Sequence, residues 1–230
     1  MSGTNQKGWK GIGMEGMIAR WYTRTRRKDL TDFRNQAKVI AQQLRPGARV
    51  LEVAPGPGFF AIELAKIGQY EITGLDVSHT FVDIAAQNAR DAGVTVDFRV
   101  GNASAMPFAE GSFEFVYCSA AFKNFSQPVE ALNEMHRVLC PGGRATIVDL
   151  CKDTPMDEIA AYVNQSGRNP IDSWLTKWTF RHILLKRAYT KDEIARLAKE
   201  SRFASCELET DAIGLNVHLS KPINARRAAS

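Results

Sequence analysis

The sequence predicts an α/β domain built on a mainly parallel sheet. Short apolar runs of the kind that form buried strands alternate along the chain with segments whose apolar residues recur at helical spacing. The clearest unit is the run from Arg49 to Val53, which is followed by Gly56, Gly58 and the helical pattern FAIELAKI. The 230 residues suffice for one such domain with a cap, and a second full domain is not expected.

Charge and cysteine usage narrow the class of protein. The net charge is +5, but the excess is modest and concentrates in residues 20–28 and the C-terminal tail, so nucleic acid is not a favoured partner. The four cysteines form no C-x-x-C pair, which is typical of reduced intracellular thiols and gives no zinc site. No signal segment is present, and no apolar run reaches the roughly 20 residues that a membrane span needs. A cytoplasmic location is therefore expected.

Two helices are predicted ahead of the first strand. Residues 1–13 are expected to be a loose start. The segment MEGMIARWYTRTRR then carries apolar residues at helical spacing: Met14, Met17, Ile18, Trp21 and Tyr22. A second set of apolar residues at helical spacing lies in residues 33–44, and Asp29 or Thr31 is predicted to cap that helix. Because both helices precede the sheet, residues 1–45 are predicted to form a helical cap on a core of residues 46–152.

The glycine loop after the first strand predicts a ligand site. Three residues match the G-x-G-x-x-G/A pattern of dinucleotide sites: Gly56, Gly58 and Ala61. Such a match is weak evidence alone, and a pyrophosphate needs several backbone N–H donors where Pro55 and Pro57 each remove one. Glu52, inside the preceding strand, can hold a ligand ammonium directly or through water. The loop therefore favours a ligand with an amino-acid end and no phosphate.

The following segments continue the alternation of strand and helix. The strand YEITGLD ends at Asp76, about 20 residues beyond the glycines, where Rossmann-like folds present a carboxylate to a ribose diol. Ser78 is predicted to cap the next helix, and VTVDFRV forms a third strand before a loop. Residues 113–150 have the pattern of a strand, a loop, an amphipathic helix, a turn at Pro141-Gly142-Gly143 and another strand.

The pattern changes after Thr154. An acidic helix and an aromatic-rich stretch make residues 153–189 an insertion that is placed to act as a lid over the carboxyl edge of the sheet. Residues 190–220 are predicted to form a helix capped by Thr190 and a hairpin of two strands, before a tail of residues 221–230.

Residues 47–150 resemble, in order, the class I S-adenosylmethionine (SAM) dependent methyltransferases. The block from 113 to 150 is similar to the ubiquinone/menaquinone-biosynthesis-like branch, which acts on small molecules. The resemblance implies a Rossmann-like sheet of seven strands, mainly parallel with a reversed last strand, and SAM as cofactor with S-adenosylhomocysteine as product. It implies these cofactor-binding residues: Glu52, Ala54, Gly56, Pro57, Gly58, Asp76, Val77, Asn102, Ala103 and Ser119. Asn102 stands where the family often has Asp, whose oxygen accepts from the adenine amine.

Residues for the acceptor are predicted by their positions. Lys123 and Asn124 follow the fourth strand, in a loop that resembles the Arg-Asn of the quinone-biosynthesis family, with loop capping and a solvent-exposed charge as the alternative. Trp21 and Tyr22 are predicted to close over the sulfonium, since aromatic faces attract cations. Packing alone is the alternative for both residues.

Methyl transfer from a sulfonium is an in-line displacement, and its thioether leaving group needs no protonation. Proximity and desolvation are therefore the expected catalytic effects, and no metal is expected. A base is needed only for a protonated acceptor. One candidate base is His182, in the insertion, with a surface position as the alternative. The other is Asp149, at the end of the fifth strand, where it faces the crevice or its rim.

Three other functions stay open. A nucleic-acid methyltransferase would explain the basic charge, but SAAFKN stands where an N-P-P-[YFW] loop is expected. A thiol or metalloid methyltransferase would use Cys118 and Cys151, which fall near strand ends. The third is a SAM-binding partner protein without catalysis. The aromatic residues of the cap and lid must also pack on something, either the mouth of the crevice or a second subunit in a homodimer.

Overall fold

The computed structural model describes residues 8–10, 13–165, 185–211 and 213–223. Seven strands of these ranges form one sheet: β1 (Arg49–Val53), β2 (Glu71–Asp76), β3 (Asp97–Val100), β4 (Phe113–Ser119), β5 (Leu139–Leu150), β6 (Glu207–Asp211) and β7 (Gly214–Ser220). The spatial order is β3-β2-β1-β4-β5-β7-β6. The first five strands are parallel, whereas β7 is antiparallel to both β5 and β6. The predicted sheet is confirmed, and its strand order reverses between β1 and β4, where ligands bind in open α/β sheets.

Helices cover both faces of the sheet. They are α1 (Gly16–Arg26), α2 (Leu30–Ala41), α3 (Phe59–Ile67), α4 (His79–Asp91), α5 (Pro128–Val138), α6 (Met156–Gln165), α7 (Leu185–Arg187) and α8 (Lys191–Glu200). Successive residues of a strand point to opposite faces. Phe115 and Tyr117 accordingly pack in a core with residues of α2 and α3, while Val116 packs in a second core with residues of α5 and α8. None of the helices in the described ranges is both long and apolar enough to cross a membrane.

Two predictions at the N-terminal end are wrong in part. The start is not loose at residues 8–10, because Trp9 forms an antiparallel bridge with Phe125 and packs against the main core. In α1 the buried residues are Ala19 and Thr23, whereas the apolar side chain of Met17 is 86% exposed. Helical spacing identified the helix but not the face that packs, because a short helix can bury its small residues and leave its large ones in solvent.

The turn predicted at Pro141-Gly142-Gly143 lies within the bounds of β5. Leu139 pairs with Phe113 and Arg144 with Phe115, so the extra residues are accommodated as an irregularity in the register. The backbone N–H of Gly142 donates to Lys221 O at 2.9 Å, and Lys221 N–H donates to Gly143 O at 2.9 Å. The segment therefore pairs with the chain that leaves β7.

The predicted helix caps are mostly confirmed. The Ser78 hydroxyl accepts from Phe81 N at 3.1 Å, and Thr190 with Glu193 forms a complete capping box on α8. Asp29 precedes α2 but makes no side-chain cap, because its carboxylate pairs with Arg26 at 2.6 Å.

The insertion is only partly described. Its acidic helix is α6, whose fully buried Ile159 packs with Ile213. The predicted hairpin of β6 and β7, which follows the insertion, is confirmed. The aromatic residues predicted for the lid lie mainly outside the described residues: Trp174, Trp178 and Phe180. The division into cap, core and lid stays a prediction.

Gly58→Ala is expected to lower the free energy of unfolding by about 3 kcal/mol. A positive φ costs an alanine roughly 1–2 kcal/mol, and overpacking adds roughly 1–3. Gly58 has φ +78°, and an added Cβ would lie 2.7 Å from Phe98 Cζ and 2.9 Å from Ala85 Cβ.

Gly93→Ala is the matched control, since Gly93 has φ +67° with nothing within 4 Å of the added Cβ. Gly93→Ala should lower the free energy of unfolding by about 1 kcal/mol, from backbone strain alone. Urea unfolding measures both values, and equal losses would contradict the close packing assigned to the glycine loop.

Candidate active site

Glu52 is a buried carboxyl in the middle of the sheet. It lies on β1, one residue before the strand ends, and is 4% exposed. Its Oε2 accepts from Ala61 N in α3 at 3.1 Å. Burial raises the pKa of Glu52 to about 8, the hydrogen bond from Ala61 opposes that shift, and the charge of Asp76 adds to it. A cationic ligand beside Glu52 would reverse the shift, because it stabilises the ionised form.

Asp76 is the second buried carboxyl and ends the neighbouring strand, β2. Its Oδ2 accepts from Gly56 N at 3.0 Å, and its Oδ1 accepts from Ser78 N at 2.9 Å. Burial raises its pKa to about 6, against the effect of these hydrogen bonds. Because a carboxylate has about four lone-pair positions, Asp76 can also accept from a ligand donor. Asp76 thus connects the glycine loop to the start of α4.

The backbone donors of the glycine loop are used inside the protein. Ala54 N–H donates to Leu75 O at 2.8 Å, Gly58 N–H donates to Pro55 O at 3.0 Å, and Gly56 N–H goes to Asp76. Pro55 and Pro57 have no N–H to donate. Because a pyrophosphate binds through backbone N–H groups, the loop is poorly suited to one. The structure therefore supports the expectation that the ligand here carries no phosphate.

Tyr22 of α1 lies over the glycine loop. Its Cε1 is 3.9 Å from the position of a Cβ on Gly56, and its ring packs edge-on against Phe81 at 5.8 Å between centroids. Tyr22 is thus placed near the predicted cofactor. The Trp21 side chain is 64% exposed, so the described chain does not enclose it in the crevice.

Glu15 fixes α1 beside this site, and sequence reasoning missed it. Its carboxylate accepts from His79 N and Thr80 N, at the first residues of α4, at 3.0 and 3.1 Å. This contact joins residues 64 and 65 positions apart, so no local pattern announces it. The predicted residues Val77 and Ser78 lie between this contact and Asp76.

Asn102, the predicted adenine contact, follows β3. Its Oδ1 accepts from Ser104 N at 2.9 Å, and a Cβ on Gly8 would lie 2.7 Å from that oxygen. The N-terminal segment therefore lies directly against this side chain, with Ala103 next in the same loop. Ser119 is half-buried at the end of β4. The ligand contacts of these residues stay predictions.

Lys123 and Asp149 form a buried ion pair. Lys123 Nζ lies 2.5 Å from Asp149 Oδ1, and the side chains are 7% and 10% exposed. Asp149 also accepts from Lys123 N at 3.0 Å and from Leu150 N at 2.8 Å. This geometry favours a structural role for Asp149, because taking up a proton would break a buried pair. Its role as a base stays a prediction, and His182 lies outside the described residues.

Comparisons with known proteins agree with this geometry. Residues 51–147 match a family described as a methyltransferase domain. The chain resembles this family over fewer than half of its residues. It is similar to a putative SAM-dependent methyltransferase from Methanococcus maripaludis, with a TM-score of 0.73, 18% identity, and coverage of 96% of this chain and 98% of that one. At this identity the likeness shows the fold alone.

Two curated methyltransferases share more sequence over a shorter span. A demethylmenaquinone methyltransferase of Deinococcus radiodurans is 41% identical over 102 residues, covering 44% of this chain and 42% of that protein. A ubiquinone/menaquinone biosynthesis C-methyltransferase of a Ruegeria species is 34% identical over 108 residues, covering 46% and 43%. The chain thus spans less than half the length of these two relatives.

Cys118 gives little support to a thiol or metalloid reaction in this protein. Its side chain is fully buried, and burial raises the pKa of the thiol, so the reactive thiolate is disfavoured. Cys151 is also buried, at 2% exposure. Among the residues that the structure describes, no group of three or more His, Cys, Asp or Glu is arranged to hold a metal ion. Metal-independent transfer stays a prediction.

Glu52→Gln is expected to flatten the pH dependence of the free energy of unfolding when no ligand is added. The pKa of Glu52 is about 8 in the folded chain against an ordinary value of 4.5. Between these values the folded state holds a proton that the unfolded state has lost, so wild-type stability falls as pH rises. The slope for one group is at most about 1.4 kcal/mol per pH unit.

Urea unfolding between pH 5 and pH 8 checks this expectation. Glu63→Gln is the control, because the pKa of Glu63 is lowered by its Lys66 and Arg34 partners despite partial burial. That variant should change stability by a constant amount in this range. Parallel pH curves for wild type and Glu52→Gln would show that Glu52 is not held protonated.

Proposed function

We propose that this protein binds SAM and transfers its methyl group to a small molecule. The observation that carries the proposal is the pair of buried carboxylates, Glu52 and Asp76, on adjacent strands beside a loop without free phosphate-binding donors. SAM offers a complementary set of groups: an ammonium, a sulfonium and a ribose diol. The match of residues 51–147 to a methyltransferase domain, together with the fold shared with SAM-dependent methyltransferases, supports the same cofactor.

The proposed orientation follows from the two carboxylates. The ammonium of the methionine end lies towards Glu52, where a positive charge offsets the burial of that carboxyl. The ribose hydroxyls lie at the open lone pairs of Asp76. The intervening loop from Ala54 to Gly58 then passes close to the ligand, which the small side chains and the glycines permit.

Tyr22 and the end of β4 would determine the catalytic geometry. With the nucleoside at β2 and the amino-acid end at β1, the sulfonium faces the strand order reversal and the loop after β4. Tyr22 lies over Gly56, so its ring can shield a positive sulfur from water. The residues would act mainly by holding the donor and the nucleophile in line. Trp21 and Asn124 stay predicted acceptor contacts.

Transfer itself is tested by adding the purified protein and methyl-deuterated SAM to a metabolite extract. Mass spectrometry should detect at least one small molecule that gains a deuterated methyl group, with equimolar S-adenosylhomocysteine. Asp76→Ala is the negative control. SAM binding without a methylated product in any extract would favour the non-catalytic SAM-binding protein instead.

Asp76→Ala is expected to weaken SAM binding at least tenfold. The variant removes the acceptor of two ribose hydroxyls, and a charge-assisted hydrogen bond is worth about 1.5–3 kcal/mol. Isothermal titration calorimetry measures the change in Kd.

Asp97→Ala is the matched control, because Asp97 is a half-exposed acid on the neighbouring strand, β3, paired with Arg99. Its affinity for SAM should stay within about twofold of wild type, as exposed pairs contribute little. Tight binding of NAD with no binding of SAM would contradict the cofactor assignment.

A further inference from the structure

A basic cavity opens near the carboxyl ends of β4 and β5, which Lys123 and Lys152 follow. Its volume is about 300 Å³, at the lower end of ligand pockets. Among the described residues, five cationic side chains line it: Lys10, Lys123, Lys152, Lys186 and Arg187. Ala188, Tyr189 and Glu193 complete the described lining.

The single carboxylate of this lining is already engaged. Glu193 Oε2 accepts from Thr190 N at 2.8 Å in the capping box of α8, and Glu193 Oε1 lies 3.7 Å from Lys152 Nζ. Lys123 is paired with Asp149 behind the lining, so two acids oppose five cations around a small volume. Concentrating like charges in this way is unfavourable unless a ligand of opposite charge binds among them.

Lys123 places the cavity at the same edge of the sheet as the proposed SAM site. It follows β4, which pairs with β1 on one side and β5 on the other. Its Nζ donates to Ala120 O at 2.8 Å and to Asp149, which leaves one of its three N–H donors for a ligand. Lys152 follows β5 at the same edge of the sheet. The cavity thus lies on the β4 and β5 side of the strand order reversal, across from Glu52 and Asp76.

We infer that the methyl acceptor is an anionic small molecule, carrying a carboxylate or a phosphate monoester that this cavity binds. The inference rests on the proposed function and names its class of acceptor. Lysine and arginine bind both anions through charge-assisted hydrogen bonds. The aromatic ring of Tyr189, with Lys10 Nζ 3.3 Å from its hydroxyl, provides an apolar wall for the remainder of the acceptor.

Two aryl anions, phenyl phosphate and benzoate, are suitable probes, with benzyl alcohol as the neutral counterpart. Calorimetric titration is carried out with S-adenosylhomocysteine present and absent. Saturable binding of at least one anion, much tighter than that of benzyl alcohol, is expected. If only phenyl phosphate binds, the acceptor carries a phosphate. If phenyl phosphate and benzoate both bind, the site also accepts carboxylates.

The double variant Lys186→Gln/Arg187→Gln should weaken binding of the anion at least tenfold, because two charge-assisted contacts are lost. Both side chains are exposed at their ends, so the fold is expected to persist. Lys38→Gln/Lys199→Gln removes the same charge from exposed helix positions outside the cavity and should leave the affinity unchanged. If both double variants lost the same affinity for the anion, the effect would come from net charge alone, and the inference would be overturned.

The outcomes separate this inference from the proposed function. Binding of S-adenosylhomocysteine without binding of either anion overturns the anionic acceptor and leaves the cofactor assignment standing. Binding of an anion without binding of S-adenosylhomocysteine overturns the proposed function, and the cavity is then no acceptor site. In an assay with methyl-deuterated SAM, methylation only of neutral molecules would also overturn the inference.

Discussion

The burial of two carboxylates on neighbouring strands is the constraint around which the site is built. Glu52 and Asp76 are 4% and 6% exposed, and removing charged groups from water is costly unless hydrogen bonds or opposite charges compensate. In the ligand-free chain, backbone N–H groups of Gly56, Ser78 and Ala61 give part of that compensation. A ligand that brings positive charge and hydroxyl donors would complete it.

The same constraint explains the glycine loop. To bond the Asp76 carboxylate, the chain must turn sharply after β1 and return its Gly56 N–H to the end of β2. Ala54, Gly56 and Gly58 all have positive φ, and Gly58 packs against Phe98 and Ala85 too closely for a side chain. The loop is therefore shaped by its contacts with β2, β3 and α4 as well as by the proposed ligand.

Charge divides the crevice into two halves. The β1 and β2 side holds buried acids suited to a cationic donor, and the β4 and β5 side holds lysines and an arginine suited to an anionic acceptor. The buried pair of Lys123 and Asp149 lies on the second side, and a local excess of cations remains there. Such a division would orient donor and acceptor before any catalytic group acts.

The sequence predicted the sheet well because each strand carries its own apolar pattern and each connection its own turn signal. Glu52, Asp76 and the caps Ser78 and Thr190 were likewise visible, since their spacing to the glycines or helices is local. Contacts over long sequence distances were not visible. The contact of Glu15 with the start of α4, that of Gly8 with Asn102, and the pairing of Lys123 with Asp149 all depend on tertiary packing. The burial of Ala19 in place of Met17 depends on which face of α1 packs against the rest of the chain.

A crystal structure of the protein with S-adenosylhomocysteine tests the central claim most directly. The account predicts both ribose hydroxyls within hydrogen-bond distance of Asp76, the amino group towards Glu52, and the sulfur facing the loop after β4 beneath Tyr22. A nucleoside bound away from Asp76, or a sulfur directed away from Lys123 and the basic cavity, would contradict it.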